Sequence, residues 1–241
     1  MKALILAAGY ATRLYPLTKN TPKPLLEVGG KAILGHILDK LDMVDEIFIV
    51  TNNFFYPQFN TWLQNNNYSN ITLVNDNTNS NEDRLGSIGD MEFVVKQHNI
   101  QDDLLVIGGD NLFEDNLTEF IQFFQEKGSS ILLNDVKDIE LAKKLGIVSL
   151  NDHNQISNFV EKPEQPESTL ASTLVYGLTK NHLCLFSEAL KENKWDSPGN
   201  FISFLSQRET VYGKNVIGKW FDIGSLDQLE ESRRHYETKG I

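Results

Sequence analysis

A single cysteine, Cys184, leaves no partner for an internal disulfide and no basis for a cysteine-rich zinc site. The five histidines never stand four apart on one helical face, which removes the common helical zinc motif. Basic residues are in deficit. With 22 Lys and Arg against 33 Asp and Glu, the net charge is −11, which speaks against wrapping nucleic acid or lying on anionic lipid. No apolar run approaches the roughly 20 residues of a membrane span, and the apolar start over residues 1–6 is too short for a signal peptide. No internal repeat of roughly 20 to 50 residues is visible, which argues against a solenoid or propeller. The expectation is a cytoplasmic protein with neither a nucleic-acid nor a membrane partner.

What is present is an alternation of two hydrophobic periods. Short runs rich in Ile, Val and Leu, bounded by Gly, Asn or Asp, stand at Lys2–Ala7, Glu46–Thr51, Ile71–Val74 and Asp103–Ile107. Between them lie helical patterns. Ile33, Leu34, Ile37, Leu38 and Leu41 share one face, and Ile88, Met91 and Val95 share another after Gly86. Such alternation predicts βαβ crossovers and an α/β fold: a Rossmann-like three-layer α/β/α arrangement with a mixed, mostly parallel central sheet. The second half adds strand-like runs at Ser130–Val136, Ile147–Leu150, Gln155–Glu161 and Thr173–Leu178. Amphipathic segments then follow at Asn181–Glu192, Gly199–Ser206 and Ser225–Tyr236. No Pro-, Gly- or Ser-rich linker interrupts the chain, so one domain over residues 1–241 is expected, with a boundary between halves near residue 115. In open α/β sheets ligands gather beyond the carboxyl ends of the strands.

Charge is distributed unevenly. Residues 1–31 hold Lys2, Arg13, Lys19, Lys23 and Lys31 against Glu27 alone, a positive cluster on an acidic chain. It suits a small, highly charged anion, although an ordinary solvated charge cluster has the same composition. Position adds to this. The first strand pattern runs into Ala7-Ala8-Gly9-Tyr10-Ala11-Thr12-Arg13, where small residues let backbone N–H groups approach a phosphate and Arg13 offers a planar fork. The loop is neither a Walker A sequence nor the Gly-x-Gly-x-x-Gly fingerprint. Pro16, Pro22 and Pro24 are expected to hold the following segment extended, with Lys23 between two prolines.

The stretch Leu6-Ala-Ala-Gly-Tyr-Ala-Thr-Arg-Leu14, then Pro16-Leu-Thr18 and Pro22-Lys-Pro-Leu-Leu26, resembles the signature of the sugar-phosphate nucleotidylyltransferases, the glucose-1-phosphate thymidylyl- and uridylyltransferase group. Later elements match in order. Gly108-Gly109-Asp110-Asn111 resembles the family's strand-end aspartate for Mg²⁺, and Trp220-Phe-Asp222-Ile-Gly-Ser225 resembles its Trp-x-Asp-x-Gly-Thr element, with Ser225 in place of Thr. Taken singly, Asp110 and Asp222 would also pass for turn or helix-capping aspartates. Phe159-Val-Glu161-Lys162-Pro163 corresponds to the glutamate for sugar hydroxyls and the lysine for the sugar phosphate. Gly146 corresponds to the glycine beside the sugar, and Tyr176 lies on the next sugar-side strand. Lys162 also reads as a turn charge, and Tyr176 as a half-buried strand aromatic.

The resemblance implies a nucleoside triphosphate and a sugar-1-phosphate as partners, Mg²⁺ as cofactor, and a nucleotide-sugar plus pyrophosphate as products. It assigns Leu6, Ala8, Gly9, Arg13, Lys23, Asn81 and Gly86 to the nucleotide, and Gly146, Glu161, Lys162 and Tyr176 to the sugar phosphate. Arg13, Lys23 and Asp110 are the implied catalytic residues, with Mg²⁺ on Asp110 and Asp222. The segment Asn81–Gly86 departs from the family's Pro-x-Gly-Leu base-reading form, and Ala8 and Ala11 stand where many thymidylyl enzymes carry glycine. The base therefore stays open among dTTP, UTP and CTP, as do the sugar and a homo-oligomeric state. At 241 residues the chain is expected to lack the left-handed β-helix domain of some relatives, so no acetyltransferase activity is implied. Two other readings stand beside this one: a cytidylyltransferase acting on a phosphate such as phosphocholine, and a catalytically silent nucleotide-binding regulator.

Overall fold

The computed structural model describes residues 1–114, 116–192 and 197–239. In chain order the first half comprises β1 (Lys2–Leu6), β2 (Glu27–Val28), β3 (Lys31–Ala32), α1 (Ile33–Leu38), β4 (Glu46–Thr51), α2 (Tyr56–Asn65), β5 (Ile71–Asn75), α3 (Gly86–Gln97), β6 (Leu104–Gly108) and β7 (Asn111–Phe113). The second half comprises α4 (Thr118–Lys127), β8 (Ser130–Asp135), α5 (Ile139–Ala142), β9 (Gly146–Leu150), β10 (Ile156–Glu161), β11 (Leu170–Leu178), α6 (Leu185–Lys191), α7 (Pro198–Ser206), β12 (Tyr212–Asn215), β13 (Trp220–Asp222) and α8 (Leu226–Lys239).

Among the described residues, nine strands form one mixed sheet along the path β10-β9-β11-β6-β1-β4-β5, with β8 on β11 and β12 on β8. Strands β6, β1, β4 and β5 are mutually parallel, as are β8 and β12, while β11 pairs antiparallel with β6, β8 and β9. Alternation along each parallel strand divides the core between two faces. Ala3, Ile5, Ile47, Ile49, Leu105 and Ile107 pack with α1, α4 and α8, while Leu4, Phe48, Val50, Leu104 and Val106 pack with α3, α6 and α7. Residues of both sets are buried, which is why these strands read as continuous apolar runs. The result is the three-layer α/β/α architecture that the sequence predicts.

Three details depart from expectation. On α3 it is Val94, not Val95, that is fully buried with Ile88 and Met91, because both positions lie near the edge of the same helical stripe. Lys23–Leu25 is a 3₁₀ turn rather than an extended stretch; Pro24 tolerates it because the start of such a turn needs no donated N–H. The short ribbon of β7 and β13, antiparallel with Asp222 opposite Asn111, has no counterpart in the predicted elements.

Candidate active site

β1 lies between β4 and β6, so the sheet order reverses at its carboxyl end, the usual location of a ligand crevice. The chain leaves β1 there through the glycine loop. Ala7 N–H still donates to the Val50 carbonyl (2.9 Å), and the Ala8 carbonyl accepts the Asn52 side-chain amide (2.8 Å), which anchors the loop to the end of β4. Ala11 then takes a left-handed conformation (φ 47°), the one its glycine counterpart would adopt without strain, and Thr18 Oγ1 donates to its carbonyl at 2.7 Å. A single 3₁₀ turn over Thr12–Leu14 follows, leaving Arg13 exposed toward the crevice.

The second contribution comes from the end of β6. Gly109 donates its N–H to the Leu6 carbonyl (2.9 Å), and a Cβ at Gly109 would stand 2.9 Å from that oxygen and 3.0 Å from Pro24 Cγ. Only glycine lets the three segments close so tightly. Their closure places Lys23 Nζ 2.7 Å from Asp110 Oδ2. The third contribution is β13. Its register with β7, reinforced by Trp220 Nε1 donating to Asn111 Oδ1 (2.7 Å), brings Asp222 beside Asp110 across more than a hundred residues of chain. Burial, and then the Asp110 carboxylate, push the Asp222 carboxyl up to about 6, against the opposing pull of Lys23 and Arg13.

Arg13, Lys23, Asp110, Gly146, Glu161, Lys162, Tyr176 and Asp222 all line one cavity of about 240 Å³. Gly146 and Glu161 face each other across the β9–β10 ladder. The edge of the Phe159 ring fills the space left by two glycines, since a Cβ at Gly146 would lie 2.8 Å from Phe159 Cζ and one at Gly199 2.7 Å from it. Lys162 leaves β10 with φ 48° and is largely exposed, its Nζ 3.8 Å from Glu161 Oε1. Tyr176 is buried in the core cluster. Its hydroxyl sits 3.1 Å from Ser172 Oγ, so it forms a wall rather than a free polar arm, and desolvation raises its phenol further above the usual range.

The remaining predicted residues lie outside that cavity. Leu6 contributes its carbonyl to the closure at Gly109. Gly9 is exposed, with open space where a Cβ would stand. Asn81 is exposed on the loop after β5, where its carbonyl accepts Arg84 Nη1 (2.5 Å), and Gly86 opens α3 with φ 75°. Sequence reasoning missed Lys144, Trp220 and Ser172 among the lining residues. Trp220 was within reach as the first residue of the Trp-x-Asp element; Lys144 carried no signal to set it apart from Lys143.

Two carboxylates face each other here while, among the described residues, no group of three acidic, His or Cys side chains is arranged to hold a metal. Such a pair suits hard Mg²⁺, which takes oxygen ligands and leaves several positions to water and substrate phosphate. Cations and paired carboxylates thus surround a crevice at the switch point of the sheet. The chain belongs to the nucleotidyl transferase family, whose pattern it matches over residues 2–239. It is 30% identical over 245 residues to the bifunctional protein GlmU of Methanocaldococcus jannaschii, a match covering 99% of this chain and 55% of that longer protein. It is 27% identical to the UTP–glucose-1-phosphate uridylyltransferase AglF of Haloferax volcanii, covering 99% and 98% of the two chains. A putative glucose-1-phosphate thymidylyltransferase from Bacillus anthracis, solved with sucrose, has the same fold, with a TM-score of 0.86 at 23% identity and 98% and 95% coverage. Against GlmU, then, the chain spans about half the relative's length. Among the described residues no helix is long and apolar enough to cross a membrane.

Proposed function

We propose that the protein transfers a nucleotidyl group from a nucleoside triphosphate to a sugar-1-phosphate and releases pyrophosphate. The observation that carries this is the convergence of Arg13, Lys23, Asp110 and Asp222 with Glu161 and Lys162 on one cavity. The acceptor phosphate is already ionised, so no general base is required. The difficulty is electrostatic: at about 4 Å and an effective dielectric near 20, each uncompensated pair of like charges costs roughly 4 kcal/mol. Positioning and charge neutralisation dominate such phosphoryl chemistry.

In this reading the backbone from Ala8 to Thr12 and the Arg13 guanidinium bind the triphosphate. Lys23 stabilises charge on the α-phosphate and the departing pyrophosphate, while Asp110 orients its ammonium in the resting site. Asp110 and Asp222 would hold Mg²⁺, which would supply positive charge to neutralise the substrate phosphates. Lys162 clamps the acceptor phosphate and Glu161 accepts hydrogen bonds from its hydroxyls. Asn81 to Gly86 flank the base. A matrix of nucleoside triphosphates against sugar-1-phosphates and phosphocholine, scored by pyrophosphate release with Mg²⁺, tests the proposal. Turnover confined to a sugar-1-phosphate supports it. Turnover with phosphocholine alone, or tight triphosphate binding with no release from any pair, overturns it.

A further inference from the structure

Beside the nucleotide loop lies a buried acidic pair that the proposed mechanism does not use. Asp76 follows β5 and Asp90 lies one turn into α3; they are only 5% and 6% exposed. Donors to these carboxyl groups are unequally shared. Asp76 Oδ1 accepts both the N–H and the Oγ1 hydroxyl of Thr78, at 2.7 and 2.8 Å. Asp76 Oδ2 and Asp90 Oδ1 are fully enclosed and receive no donor from the protein, and the two carboxyl groups lie close enough for each to act on the other. A buried polar oxygen without a donor is costly, and two buried carboxylates in contact repel as well. One proton between them removes both penalties.

We infer that Asp76 and Asp90 share a single proton, that Asp90 donates it as a neutral carboxylic acid, and that Asp90 is thereby a positioning residue for the nucleoside triphosphate. The connection to the site is continuous. Thr78, held by Asp76, accepts the Asn53 N–H through its carbonyl (2.9 Å); next to it, Asn52 holds the Ala8 carbonyl of the phosphate loop at 2.8 Å. The Asp76 N–H donates to the Thr51 carbonyl (2.9 Å), and the buried Tyr10 hydroxyl lies beside Thr78. The shared proton thus pins α3 to the loop that carries Asn81 and to the loop that carries Arg13. Neighbouring charge acts in the same direction. Asp83 faces Asp76 from the loop and disfavours its ionisation, and both Asp83 and Glu82 act on Tyr10. Farther along α3, Glu92 is engaged elsewhere, with Lys96 and Ser187. Burial and the Asp76 charge accordingly hold the Asp90 carboxyl well above the usual carboxylate range.

The positioning role rests on the proposed nucleotidyl transfer, whereas the shared proton does not, and the test separates them. Isotope-edited infrared spectroscopy of the full chain at pH 7 should show one protonated aspartate band that is absent from Asp90→Asn. Urea unfolding should show wild-type stability falling as pH rises above the unfolded carboxylate range, because the folded state keeps a proton that the unfolded chain releases. Asp90→Asn, whose amide donates without ionising, should lose that slope. Asp90→Asn should bind the triphosphate as the wild type does, while Asp90→Ala should bind it about tenfold more weakly by isothermal titration, one buried hydrogen bond having been lost. Acceptor binding should be unaffected in both. Absence of the acid band in the wild type overturns the shared proton whether or not any acceptor turns over. Its presence, together with unaltered triphosphate affinity in Asp90→Ala, overturns the positioning role. If Asp90→Ala does not fold, weakening of wild-type triphosphate affinity as the band titrates away at high pH supports the role, and an affinity indifferent to that titration overturns it.

Discussion

Replacing Gly146 by alanine probes the wedge on the Glu161 side of the crevice. The new Cβ would lie 2.8 Å from Phe159 Cζ, 3.1 Å from Phe159 Cε1 and 3.0 Å from Glu161 Oε2. Ordinary carbon contacts begin near ~3.5 Å, so the ring edge must retreat by about 0.7 Å. It has little room, because the ring is buried and the same edge already occupies the space a side chain at Gly199 would need. Overpacking of this kind costs about 1 to 3 kcal/mol, and the shift is passed to Glu161 on the same strand. We expect a fall in urea-unfolding free energy of that size. We also expect a rise in the KM for the acceptor of about tenfold, equivalent to about 1.4 kcal/mol, with the KM for the triphosphate unchanged. Stability within about 0.5 kcal/mol of wild type would show that Phe159 relaxes freely. Parallel increases in both KM values would show that Gly146 does not act on the acceptor alone.

Asp110→Asn should lower kcat by about 100-fold or more while leaving the circular dichroism spectrum intact, and near-normal turnover would remove this residue from the metal site. Lys162→Ala should chiefly raise the KM for the sugar phosphate, since a clamp on the ground state contributes uniform binding; a change confined to kcat would refute that role. Glu114 accepts from Lys239 Nζ (2.5 Å), His235 and the Lys219 N–H, and these bonds lower its carboxyl from 4.5 to about 2. A depressed folded value means that the stabilisation is complete above pH 4.5 and is lost as pH falls toward 2. Glu114→Gln should therefore melt at a lower temperature than wild type above pH 4.5, with the two curves converging toward pH 2; a gap that persists there would contradict the linkage.

The parallel strands were legible because burial on both faces makes them uninterrupted apolar runs, as in Leu104–Gly108. The glycine loop and Asp110 were legible because each follows such a run, β1 and β6, whereas Asp222 and Glu161 were reached through their motifs alone. The ribbon of β7 and β13 was not: three residues per strand carry no period, and the partners are separated by more than a hundred positions. Helix α2 fully buries only Phe59, with Trp62 and Leu63 half-buried against the same core, so few of its positions read as core. Helix α4, with Phe120, Ile121 and Phe124 on one side, carried a usable signal that the strand-rich surroundings obscured. The neighbouring lysines 143 and 144 show a different limit. Lys143 pairs with Glu140 and Lys144 lines the crevice, a distinction set by which side of a turn each residue occupies.

The ribbon has a consequence for how the protein comes into being. A nascent chain that has emerged only as far as Val211 already contains eight of the nine strands of the main sheet, but not the aspartate that faces Asp110. The scaffold can therefore condense during synthesis before the crevice is chemically complete, since domains form from the amino-terminal side as the chain appears. The second carboxylate of the crevice arrives only after the strands of the main sheet, and a ribosome stalled just short of Trp220 would display that sheet without it.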